Sequence, residues 1–120
     1  IARSFRYRAP GIRYDFLKDY PHITFVGLKE EYEDMKKAIP GLKHRTVRDF
    51  LEFAQIIAGC KFFIGNQSFP FAVAEGLKVP RALELCFECP NVIPEGPDAY
   101  DFLYQPQFEK VVKQLDQRAK

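Results

Sequence analysis

The stretch Lys61-Phe62-Phe63-Ile64-Gly65-Asn66-Gln67-Ser68-Phe69-Pro70-Phe71-Ala72-Val73-Ala74-Glu75-Gly76-Leu77-Lys78-Val79-Pro80 decides the fold. It opens on an apolar run without alternation, the pattern of a strand buried on both faces, and predicts a strand over 62–65. Gly65 allows a tight exit, and Asn66 tolerates left-handed turn geometry. Ser68 is then the candidate N-cap of a helix over 68–78, with Pro70 in the first turn, where a missing N–H costs nothing. Pro80 ends the unit, and a further apolar strand is expected over 82–86. Strand, short loop, helix and strand in succession make a βα unit and hence a parallel sheet.

The same change of period continues outward. Residues 23–28, ITFVGL, read as a second doubly buried strand. Residues 30–39 read as a helix, with acids in its first turn and Lys36 and Lys37 near its end, as the helix dipole favours. Pro40-Gly41 stops it. The mostly polar residues 43–47 suit an edge strand. Asp49 starts the next helix, and Glu52 three residues later suggests a reciprocal capping box, which accounts for Glu52 better than catalysis does. A first strand is expected over 1–4, irregular structure or a short helix over 98–104, and an amphipathic helix over 108–117. The expected architecture is α/β: one domain over residues 1–120, with a doubly wound Rossmann-like parallel sheet. Its five strands take the order 3-2-1-4-5, with helices on both faces.

Composition excludes several classes. A hydrophobic fraction of 47% in 120 residues supports one packed core. Its longest apolar runs are too short to span a bilayer, and no apolar segment of a secretory signal follows the basic first residues. With 18 Lys and Arg against 16 Asp and Glu, the chain lacks the strongly basic face of a nucleic-acid binder. Arg3, Arg6, Arg8 and Arg13 form a local basic cluster, either a solvated terminus or an anion site. Cys60, Cys86 and Cys89 are an odd set without disulfide-scaffold spacing and point to a reducing, cytoplasmic setting. Cys86 and Cys89 form a CxxC, but His22 and His44 lack the spacing to complete a zinc site, so reduced thiols and no metal are expected.

A strand running through a tight loop into a helix start presents free backbone N–H groups to an anion. Within 65–68, Ser68 can cap the helix or donate to a phosphate oxygen, and spacing leaves both open. There is no GxGxxG or Walker lysine. Glu75 lies on a small, apolar helical stretch. It either faces the crevice at the strand ends, where its oxygens suit the vicinal hydroxyls of a sugar, or pairs with Arg81.

The stretch from Asp49 to Gly96, with its FIGNQS loop and AEGLKVP run, resembles the donor-binding half of GT-B glycosyltransferases, especially the heptosyltransferase-like bacterial enzymes. The resemblance implies that the chain is the C-terminal half of a two-domain protein. Its N-terminal acceptor domain would be missing, and Ile1 would be the truncated end of the first strand. It implies a nucleotide-sugar donor as substrate, no metal or other cofactor, and glycosyl transfer by the parent protein to an unknown acceptor. The residues it assigns to nucleotide-sugar binding are Gly65, Asn66, Gln67, Ser68, Glu75, Arg3, Ser4 and Arg6; it assigns no catalytic residue. Two alternatives stand beside it. One is a non-catalytic ligand-binding or interaction domain, suggested by a loop that supplies neither carboxylate nor imidazole. The other is half of a sugar-nucleotide epimerase.

Overall fold

Alternate residues of the strands are buried in opposite directions, and this places the helices. In a computed structural model describing residues 1–86 and 93–118, every residue of strands β3 (Phe63–Asn66) and β4 (Arg81–Glu84) is buried. Successive strand side chains point to opposite faces. Accordingly Phe63 and Leu83 join one core, with Ile57 of helix α2 (Phe50–Ala58) and Phe71 and Ala74 of α3 (Phe69–Leu77). Ile64 and Ala82 join the other, with Met35 of α1 (Lys29–Ala38) and Phe108, Val112 and Leu115 of α4 (Gln105–Arg118).

The chain is α/β with parallel strands. β1 (Thr24–Val26) pairs with β2 (Lys43–Arg45), and β3, β4 and β5 (Ala99–Phe102) form a second sheet in that order. A single 3-2-1-4-5 sheet is therefore not what the strand pairing displays. The expected first strand contracts to an isolated bridge between Ala2 and Gly65. Around it, Ile1 N donates to Thr24 O at 2.7 Å and Val26 N donates to Ile1 O at 2.9 Å, while Ala2 N donates to Ile64 O at 3.0 Å. Ile1 and Ala2 thus touch both sheets.

Three expectations change. The stretch expected to be irregular or a short helix contains β5, whose partners, Arg81 through Glu84, are distant in sequence. α4 begins at Gln105, ahead of the expected Phe108, with Pro106 in its first turn. Asp49 caps α2 by accepting from Glu52 N at 2.9 Å, but the reciprocal half of the box is absent. Glu52 instead accepts from Arg48 N at 3.1 Å and pairs with the Arg48 guanidinium. A short 3-10 helix, Asp15–Asp19, also precedes β1 and buries Leu17.

Gly65 lets the first segment approach β3. A Cβ there would lie 2.8 Å from a ring carbon of Phe63 and 3.0 Å from the Ala2 carbonyl oxygen. The ring can shift, whereas the carbonyl belongs to the segment that touches both sheets. Gly65→Ala is expected to destabilise the fold by about 1–3 kcal/mol, the usual range for overpacking, read as a lowered midpoint in denaturant. An unchanged midpoint would show that the close approach is not required.

Candidate functional site

Parallel strands end on one edge, and in open α/β sheets ligands bind in the crevice beyond that edge. Here the edge collects Asn66 at the end of β3, Glu84 at the end of β4, and the chain leaving Ala2.

Glu84 is fully buried. Arg3 meets it in a fork, Nε to Oε1 at 2.7 Å and a terminal nitrogen to Oε2 at 2.8 Å. Ala9 N donates to Oε2 at 2.7 Å, and the Tyr14 hydroxyl donates to Oε1 at 2.8 Å. Such satisfaction is what a buried carboxylate needs, since an unpaired one is very costly. The Arg3 guanidinium also lies over the Tyr14 ring, 4.5 Å from its centroid. Burial alone would make Arg3 easier to deprotonate, but its hydrogen bond to Glu84 reverses this and raises its pKa. Burial, reinforced by the Glu84 charge, pushes the Tyr14 phenol well above its ordinary value, so it remains a donor. The resemblance assigns Arg3 to the ligand; the structure turns it inward to Glu84, which lies inside the strand expected over 82–86.

Asn66 is buried too, and its amide holds the first loop. Its Nδ2 donates to Ser4 O at 3.0 Å and Arg6 O at 2.7 Å, while Oδ1 accepts from Ser4 N at 3.1 Å and, more weakly, Ser4 Oγ at 3.4 Å. Both donors and both acceptor positions are used. Arg8 adds a further tie: its Nε donates to Ser4 O at 2.9 Å. Its terminal nitrogen lies 2.9 Å from Asp34 Oδ2, out of line for a hydrogen bond and so a charge contact.

The rest of the loop divides in the same way. Gln67 is buried and accepts from Cys86 N at 2.9 Å, joining the start of α3 to the exit of β4. Cys86 carries a free thiol; its CxxC partner Cys89 lies outside the described residues. Ser68 occupies the N-cap position, but its hydroxyl makes no capping bond and donates to Asn66 O at 3.3 Å. Ser68 and Ser4 are half-buried, and Arg6 is exposed beside Tyr7, whose ring centroid is 5.8 Å away. Of the expected binding residues, the structure gathers Ser4, Arg6, Gly65, Asn66, Gln67 and Ser68 at one edge. Arg6 is the exposed one of these, while the Ser4 hydroxyl donates to Arg6 O at 3.1 Å and the Ser68 hydroxyl to Asn66 O, both at the margin of the surface.

Glu75 lies away from that group. Its Oε1 accepts from Arg81 Nε at 2.6 Å, and its Oε2 accepts from Lys78 Nζ at 2.8 Å and Glu95 N at 3.1 Å. Arg81 is fully buried and also donates to Val79 O at 2.9 Å and to Glu95 O. The expected ligand carboxylate is therefore engaged in the ion pair with Arg81.

No protein-family model matches the chain, and neither curated proteins nor solved structures give a match. Among the described residues, no helix is long and apolar enough to cross a membrane.

Two outcomes follow from these networks. Glu84→Gln removes the charge that compensates Arg3 and is expected to cost about 3–5 kcal/mol, the usual loss when one partner of a buried pair is removed. A stability unchanged in urea would contradict the buried pair. For Glu75, burial acts to raise the pKa, but hydrogen bonds from Arg81, Lys78 and Glu95 N outweigh it and hold the carboxyl at about 2, against an ordinary 4.5. The folded value is the lower one. Its stabilisation is thus fully present above the ordinary value and is lost as pH falls from about 4.5 towards 2. Glu75→Gln should flatten that part of the stability–pH curve and cost about 2 kcal/mol at neutral pH, as for a hydrogen bond to a charged group. An unchanged melting temperature with weakened nucleotide-sugar binding would return Glu75 to the ligand.

Proposed function

We propose that the chain binds the diphosphate of a nucleotide sugar at the carboxyl edge of its strands, as the donor half of a GT-B-type glycosyltransferase. The observation that carries the reading is the clamp made by Asn66. It fixes the backbone of Ser4 and Arg6 beside the start of α3, with the Arg6 side chain left exposed. An exposed arginine on a fixed backbone and the start of a helix suit phosphate oxygens, because cationic donors and helix N-termini both favour anions. The Ser4 and Ser68 hydroxyls can rotate from the Arg6 and Asn66 carbonyls to join them. The same groups would stabilise a departing diphosphate without a metal.

The proposal extends to the sheet. Ile1 and Ala2 donate to or accept from both neighbours, so the two sheets read as one with the order β2, β1, the Ile1 and Ala2 segment, β3, β4, β5. That order contains 3-2-1-4-5 with β5 added at its edge, and its change of direction falls beside the Ser4 and Asn66 loops. Ligand crevices in open α/β sheets form at such points.

A non-catalytic ligand-binding domain is the second reading. It is favoured because Arg3, Asn66, Gln67 and Glu75, four of the residues the resemblance assigns to the donor, hydrogen bond within the protein. Titration of UDP, GDP and ADP, followed by amide shifts, tests both. Binding should perturb Ser4, Arg6, Gln67 and Ser68, and Arg6→Ala should weaken it by about tenfold without lowering the melting temperature. Ser68→Ala should weaken it with little loss of stability, since its hydroxyl makes no capping bond. Glycosyl transfer by a longer protein containing this chain would favour the first reading, and binding without transfer the second. Shifts confined to another face would contradict both.

A further inference from the structure

We infer that Asp34, on α1, is a positioning residue of the diphosphate site, acting on Arg6 through Arg8. The inference rests on the diphosphate reading and adds to it a residue that does not touch the ligand.

Arg6 lies inside a loop whose shape its own backbone does not favour. The next residue, Tyr7, has a φ of 59°, in the left-handed region where a side chain is disfavoured. A loop in such a shape needs ties from outside its backbone, and two side chains supply them. Asn66 reaches it from β3 and holds Ser4 O and Arg6 O. Arg8 closes it on itself: its Nε donates to Ser4 O at 2.9 Å, across the turn that carries Arg6. Ser4 O therefore has two donors, one from each tie.

The Arg8 tie depends on how the rest of its guanidinium is compensated. One terminal nitrogen is buried and makes no hydrogen bond, a costly state for a cation unless a charge answers it. Asp34 Oδ2 answers it at 2.9 Å and is the ion-pair partner of Arg8 among the described residues. Glu84, which accepts from the neighbouring Ala9 N, is taken up by Arg3 and Tyr14 as well. The Phe5 ring, its centroid 5.0 Å from the guanidinium carbon, adds attraction but no acceptor. Without the Asp34 charge, Arg8 gains by turning to water, and Ser4 O loses one of its two donors. The loop then keeps the Asn66 tie alone, and Arg6 spreads over more orientations, an ordering cost that binding must meet.

The sign of one substitution separates this role from a direct electrostatic one. Asp34 is negative, so its removal tightens the binding of an anion if it acts only through space. A positioning role has the opposite effect. Inorganic pyrophosphate, which carries the diphosphate without a base, is titrated into the 120-residue chain and followed by the amide shifts of Ser4, Arg6 and Ser68. Asp34→Asn is expected to weaken binding about fivefold, within the usual range for coupled residues, and Asp34→Glu to restore it. In an Arg6→Ala background the same Asp34→Asn should cause no further loss, because the group it positions is gone. Unchanged or tighter binding in Asp34→Asn, or a loss that persists in the Arg6→Ala background, would overturn the inference while leaving the diphosphate reading in place. Absence of pyrophosphate shifts at Ser4, Arg6 and Ser68 in the unaltered chain would overturn both.

Discussion

The buried carboxylate of Glu84 is the constraint on which the rest of the structure depends. Its four donors come from Arg3, Ala9 and Tyr14, so the end of β4, the exit of the first segment and the approach to the 3-10 helix must meet at one point. A buried ion pair contributes little net stability, because desolvation offsets attraction, but losing either partner is costly. The network therefore acts chiefly on geometry. β4 carries a second buried charge at its other end, where Arg81 meets Glu75 and the carbonyls of Val79 and Glu95. A slip of β4 between its neighbours would separate both charges from their partners. The hydrophobic pattern and the two ion pairs thus specify the same register.

This rigidity shapes what the carboxyl edge can offer a ligand. Arg3, Asn66, Gln67 and Glu75 have ligand-type side chains, yet each is engaged by protein groups. Their contribution is to hold backbone in place. Asn66 fixes the Ser4 and Arg6 loop, and Gln67 fixes the exit of β4 against the start of α3. Preorganised loops reduce the ordering cost of binding. Arg6 remains exposed, and the half-buried hydroxyls of Ser4 and Ser68 turn to carbonyls of the same fixed loops.

The parts of the fold legible in the sequence were those with local causes. The doubly buried strands at Phe25 and at Phe63 and Ile64, the Asp49 cap and the helix starting after Ser68 are written in residues within one turn or one strand of each other. β5 was not legible, because Ala99-Tyr100-Asp101-Phe102 has no continuous apolar run; its partner β4 is supplied by a distant part of the chain. Glu84 was hidden for a related reason. Within Arg81-Ala82-Leu83-Glu84 the charges look like the ends of an apolar strand, and nothing nearby announces Arg3 or Tyr14. The Glu75–Arg81 pair is within reach of sequence spacing, which allows a ligand role equally. Deciding between them required seeing that Arg81 is fully buried. Loop residues were legible as loop residues, but not the direction in which each amide or guanidinium points.

Native-state amide exchange at Ala9 measures the central constraint most directly. Ala9 N–H has no strand or helix partner; its acceptor is the Glu84 carboxylate, inside the protein. If Glu84 holds the edge together, this loop amide should exchange only through large-scale opening, as slowly as core amides such as Leu83, and Glu84→Gln should accelerate it selectively. Exchange at Ala9 as fast as at an exposed loop amide, in the unaltered protein, would show that Glu84 does not organise the edge.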